Sequence, residues 1–136
     1  MLSLSINDVK AFMAKLLKGN DFDAFELHGL TVHNFAVFEM HKHPAEAAPS
    51  WCLARNYAFE MIKGSVPPKY IKLVLARLNG DVHMFLNIIF EDGKINITSG
   101  MSQKSFSLDR SALQNWNEYI LKFLNDKNIS VANNLI

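Results

Sequence analysis

The chain reads as an α+β domain: a mostly antiparallel sheet of about six strands with three helices packed mainly on one face, in the order α-β-β-α-β-β-β-β-α. Two observations lead there. First, Asp92-Gly93 lies between two runs that alternate apolar and polar residues, and Asp-Gly favours a two-residue type I′ loop because both loop residues need positive φ. Such a loop sets Glu91 opposite Lys94, Phe90 opposite Ile95, Ile88 opposite Ile97 and Asn87 opposite Thr98. Leu86, Ile88, Phe90, Ile95 and Ile97 then share one face of the sheet, and Asn87, Ile89, Glu91, Lys94, Asn96 and Thr98 share the other. Second, three stretches carry apolar residues at helical spacing, each behind a residue able to cap the first turn.

In chain order, residues 2–6 alternate apolar residues with serine and read as a short strand or an extended lead-in. Asn7 or Asp8 caps a first helix running to Lys18, with Gly19 just past its end. Its inward arc holds Val9, Phe12, Met13, Leu16 and Leu17. Residues 24–30 and 31–41 follow as strands, either one bent strand or a tight pair, with Gly29 marking a bend or bulge. Residues 43–50 hold two prolines and no periodicity, and are a loop. Ser50 caps a second helix over residues 51–63, closed by Gly64. Its polar stripe, Asn56, Glu60 and Lys63, is so narrow that the helix is expected to be covered on a second side, by another helix or a second subunit.

Ser65-Val66-Pro67-Pro68 turns the chain out of that helix into a four-stranded meander over residues 69–109. Its turns fall at Asn79-Gly80-Asp81, Asp92-Gly93 and Ser99-Gly100, and its last strand covers residues 104–108. Asp109 caps the last helix, Leu108 packs on Leu113 as a hydrophobic staple, and Leu113, Trp116, Ile120, Phe123 and Leu124 face inward. Residues 126–136 are expected as a loosely held tail in which Ile129 and Val131 are the residues able to dock.

A chain of 136 residues fits one domain, residues 1–136, that buries a core without staples. The single cysteine, Cys52, excludes an internal disulfide and suits a reducing compartment. The opening MLSLSINDVK lacks the basic and apolar regions of a signal peptide, and no stretch approaches the ~20 apolar residues of a membrane span, so a cytoplasmic location is expected. With 14 basic and 13 acidic residues the net charge is +1 and no basic run occurs, which argues against nucleic acid as a partner.

The segments SINDVKAFMAKLLKGNDFDAFEL, FEMIKG and above all FLNIIFEDGKINITSGMSQKSFSLDRSALQNWNEYILKFL resemble a family of small bacterial proteins that has no assigned function. The resemblance spans nearly the whole chain and implies one domain. It brings no catalytic residues with it.

Several constellations could carry chemistry. Four of the five histidines, His28, His33, His41 and His43, fall within 16 positions. His41 and His43 point the same way on an extended chain, in phase with Glu39, so a divalent metal would take them with His33, Glu39 or His83 as a third ligand. Against this, neither HExxH nor a paired CxxC occurs, and solvated side chains at a strand end have the same pattern. Cys52, in the first turn of a helix, suits a nucleophile, yet a lone helical cysteine is more often a packing residue. Asp21 with Asp23 and Glu91 with Asp92 sit at turns and serve backbone geometry. No GxSxG, GxGxxG or Walker A pattern is present. The second sheet face, with Phe85, Asn87, Ile89, Asn96, Thr98, Ser105 and Ser107, mixes apolar and hydrogen-bonding groups, as an interface or ligand surface does and as a half-exposed sheet face also does.

The first expectation is therefore a non-enzymatic binding or protein-interaction module, a homodimer that uses the second sheet face, the second helix, or both. One alternative is a metal-binding protein or small metal-dependent enzyme built on His41 and His43. The other is a small hydrophobic-ligand binder, with a cavity around Trp116 and Asn117.

Overall fold

The hairpin at Asp92-Gly93 forms with both loop residues at positive φ, 55° and 73°, and it sets the frame for the sheet. A computed structural model describes residues 2–64, 66–79, 82–103 and 111–134. Among these residues there are three helices and seven strands. The strands are β1 (Ser3–Ile6), β2 (Glu26–His33), β3 (Val37–His41), β4 (Tyr70–Asn79), β5 (Val82–Glu91), β6 (Lys94–Gln103) and β7 (Val131–Asn133). The helices are α1 (Val9–Leu17), α2 (Trp51–Ile62) and α3 (Ser111–Asp126). All strands join one sheet in the order β3-β2-β4-β5-β6-β1-β7, and every neighbouring pair is antiparallel.

The β5–β6 register is the one the loop requires, from Glu91 opposite Lys94 through Ile88 opposite Ile97 to Asn87 opposite Thr98. Rows of inward residues cross the sheet, such as Leu4, Ile97, Ile88, Leu73, Leu30 and Met40. Against this face lie Phe12, Leu16 and Leu17 of α1, Trp51, Ala54 and Ala58 of α2, and Trp116, Ile120 and Leu124 of α3, in a single core. The three helices thus share one side of the sheet. Edge-to-face rings of Phe12, Phe22, Phe25 and Phe123 fill the space between α1 and α3. Two indoles are fastened by hydrogen bonds: Trp51 Nε1 donates to the Leu16 carbonyl and Trp116 Nε1 to that of Phe85, each at 2.9 Å.

The caps act as their residue types dictate. The Asp8 carboxylate accepts from the Ala11 amide at 3.1 Å and the Ser50 hydroxyl from the Leu53 amide at 3.2 Å. Gly19 follows α1 where a Cβ would lie 2.9 Å from the Lys15 carbonyl oxygen, so a close approach selects glycine there.

Four local expectations are revised. Strand β6 runs straight through Ser99-Gly100, so no turn forms there. Ser99 is buried, and its hydroxyl accepts from the Leu2 amide at 2.9 Å, which binds the strand to the N-terminal segment. The break between β2 and β3 falls at residues 34–36 rather than after Leu30, because the Asn34 side chain closes its own turn by accepting from the Ala36 amide. Gly29 does mark an irregularity, a register shift that leaves His28 as the extra residue. The C-terminal residues expected as a loose tail supply β7: Ile129 is buried and Ile6 faces Val131. Five of the six expected strands fall on described residues, and β1 and β7 also join the sheet, which makes seven among those residues. The expected last meander strand at 104–108, with Ser105, Ser107, Leu108 and the Asp109 cap, lies outside the described residues, as do Gly80 and Asp81.

Candidate functional site

The helix-free face of the sheet gathers most of the residues singled out in the sequence. Phe85, Asn87 and Ile89 on β5 stand opposite Gly100, Thr98 and Asn96 on β6. Their polar groups are engaged within the chain. Asn87 Nδ2 donates to Thr98 Oγ1 at 3.3 Å, and Asn96 Oδ1 lies 3.0 Å from the Ser5 hydroxyl and 3.5 Å from the Nδ2 of Asn134. Phe85 is flanked as well. The Phe85 ring lies between those of His28 and His83, with centroids at 5.0 and 6.0 Å, and Ala76 beside it is buried. This face keeps its half-buried character through contacts of its own.

The histidine cluster separates into pairs. His41 Nε2 lies 3.2 Å from Glu39 Oε2, with both side chains more than half exposed. His33 faces Val37 across the ladder, and its ring rests on Tyr70 at 5.1 Å. His43 has left the strand, where its Nδ1 accepts from the Ala45 amide at 3.1 Å. The two-residue spacing that would align His41 with His43 holds only while the chain is extended, and β3 ends at His41. Among the described residues no three His, Cys, Asp or Glu side chains gather into a group able to hold a metal ion.

Cys52 is exposed in the first turn of α2, near an ion pair in which Arg55 Nε and Nη2 donate to Asp23 Oδ1 and Oδ2 at 3.0 and 3.3 Å. The Arg55 hydrogen bond holds the Asp23 carboxyl below the usual carboxylate range; burial opposes this and the Cys52 thiol adds to it. That carboxylate is committed to Arg55, and among the described residues no imidazole hydrogen-bonds the thiol.

At the α3 side a cleft of about 560 Å³ is bordered by Arg77, Met84, Asn115, Trp116 and Tyr119. The Arg77 guanidinium lies over the Tyr119 ring at 5.1 Å, so the one basic side chain bordering this cleft among the described residues is already stacked. Asn117, expected beside Trp116, has a buried Oδ1 that is unpartnered among the described residues, but it does not line the cleft.

Exposed apolar side chains also lie where β3 borders α2. Phe35, Val37, Leu53 and Tyr57 are 77%, 60%, 62% and 64% exposed, the four most exposed large apolar side chains among the described residues. Phe35 packs edge-on against Phe38 at 5.6 Å, and a groove of about 500 Å³ runs between Phe38 and Met40 of β3 and Tyr57 and Met61 of α2. Leu53 continues the stripe of Tyr57 one helical turn earlier.

Strand β3 is also an open edge. The Lys69 amide donates to the His33 carbonyl at 2.8 Å, so the backbone of His33 and Thr31 faces β4 and that of Val32 and Leu30 faces β3. By the alternation of an antiparallel ladder, Phe38 and Met40 turn their backbone groups to β2, while Val37, Glu39 and His41 turn theirs outward. Those outward groups meet no partner among the described residues. The other edge, β7, is three residues long.

The sequence marked α2 as short of polar surface but not its companions on β3. Phe35 is concealed because an apolar residue inside a turn looks like part of a strand. The Asn34 that closes this turn was the available signal.

Residues 76–132 match the model of DUF5721, a family of unknown function, in keeping with the resemblance seen in the sequence. This span covers the end of β4 through β7 and leaves out β3, α2 and the opening segment. No curated protein and no solved structure matches the chain.

Proposed function

We propose that this chain is a non-enzymatic protein-interaction module that works as a homodimer, with the β3 edge and the outer side of α2 as its interface. One observation carries the reading: exposed Phe35 and Tyr57 border the groove between β3 and α2, with exposed Leu53 one turn earlier on α2 and exposed Val37 on the other face of β3, all beside the only long unpaired strand edge among the described residues. Exposed apolar patches rimmed by polar groups mark interaction sites, and a strand edge with free backbone groups is a template for pairing. These four side chains offer on the order of 400–500 Å² of apolar surface per copy, against roughly 800 Å² per partner in a standard interface, and strand pairing supplies the rest.

A second copy suits this end because its charged groups already have partners within the chain: Glu39 Oε2 lies 3.2 Å from His41 Nε2, and Glu60 pairs with Lys63 at 3.1 Å. The helix-free sheet face is the weaker candidate, since its polar groups are paired and Phe85 is flanked by His28 and His83. Sedimentation at micromolar concentration tests the choice. Wild type is expected to sediment as a dimer, Tyr57→Asp as a monomer, and Ile89→Asp on the sheet face as a dimer. A monomeric wild type, or a dimer that ignores Tyr57→Asp and dissociates with Ile89→Asp, overturns the proposal.

A further inference from the structure

Resting on that reading, we infer that the two copies pair β3 with β3 about a two-fold axis at Met40, so that each Glu39 lies opposite the partner's His41 and the two sheets become one.

Three constraints lead to this register. Val37, Glu39 and His41 carry the outward backbone groups, so the ladder between copies must hydrogen-bond odd-numbered residues to odd-numbered residues. A two-fold axis in an antiparallel pair makes each residue's partner the mirror of its own position, which leaves registers centred on Phe38, Glu39 or Met40. Centring on Glu39 sets two carboxylates directly opposite each other, an arrangement that destabilises cross-strand pairs. Centring on Phe38 sets Val37 against Glu39, an apolar group against a charge. Centring on Met40 gives two Glu39–His41 pairs, and an imidazole N–H donates to a carboxylate across the strands.

The helix side agrees with this choice. Met40 faces the groove between β3 and α2. On the axis it meets the partner's copy of itself, beneath Tyr57 from each α2. The register therefore closes two half-open grooves into one apolar seam while it satisfies the outward backbone groups of Glu39 and His41.

Disulfide trapping tests the register in a Cys52→Ser background, which removes the exposed native thiol. Met40 would face itself in a non-hydrogen-bonded pair, where Cα atoms approach to about 4.5 Å, within disulfide range. Under mild oxidation Met40→Cys is expected to give a covalent dimer and Glu39→Cys to remain uncrosslinked. Glu39→Cys crosslinking in preference to Met40→Cys refutes the register while the dimer itself stands; a wild type that sediments as a monomer removes the interface altogether.

Because Met40 touches the core, a second test uses exposed positions only. Glu39→Lys is expected to weaken dimerisation by at least about twofold, and adding His41→Glu to restore it. Exchange that fails to restore the dimer refutes the register, since with Glu39 on the axis the double variant would set two lysines face to face.

Discussion

Alanine at Gly93 measures how much the β5–β6 loop contributes to the fold. Gly93 has φ +73°, and nothing lies within 4 Å of the place a Cβ would occupy. The cost of alanine is therefore conformational alone, about 1–2 kcal/mol for an L residue held in the left-handed region. For a chain of this size that corresponds to a fall of about 3–10 °C in Tm. Asparagine tolerates that region better, so Gly93→Asn should fall between wild type and Gly93→Ala. Gly100 is the internal control. It sits in β6 at an ordinary φ, and a Cβ there would meet Asn87 Nδ2 and Phe85 Cβ at 3.7 Å, normal contact distances. Gly100→Ala should therefore raise stability by about 0.5–1 kcal/mol through the smaller entropy of the unfolded chain. Urea denaturation at fixed protein concentration reads both, with an unchanged m-value expected. If Gly93→Ala unfolds at the same urea concentration as wild type, the loop does not hold the conformation from which the sheet register was argued.

Other outcomes follow from buried groups. Trp51→Phe leaves the Leu16 carbonyl without its donor inside the core and should lower stability by about 1–3 kcal/mol, measured by the same denaturation. Ile129→Ala should cost about 2–4 kcal/mol because this side chain is only 6% exposed; a variant as stable as wild type would mean that the segment leading into β7 is not docked. The Arg55 hydrogen bond lowers the folded-state pKa of Asp23, so its contribution is complete above the ordinary carboxylate value and is lost as pH falls through the lower folded value. Wild type should accordingly lose its advantage over Asp23→Asn only in acid, as followed by Tm between neutral pH and pH about 2.

What the sequence by itself determined is what neighbours along the chain decide. Asp92-Gly93 dictated a loop with positive φ, and from it the pairing of residues 87–91 on β5 with residues 94–98 on β6. Asp8 and Ser50 marked helix starts, and the apolar spacing of residues 113–124 marked the inward side of α3, where Trp116, Ile120 and Leu124 are buried. These features depend on φ preferences, capping and periodicity, all of which act over a few residues. The tertiary structure decided what depends on partners far away in the chain. Strand β1 lies between β6 and β7 because Leu4 pairs at once with Ile97 and Asn133, and no local pattern encodes either distance. His43 leaves the line of His41 because β3 ends there, and Ser99-Gly100 stays extended because Leu2 and Phe85 lie beside it. The candidate interface belongs to this second kind. Phe35 and Tyr57 border one groove only because α2 lies beside the β3 edge, and their exposure is a property of that packing rather than of any stretch of sequence.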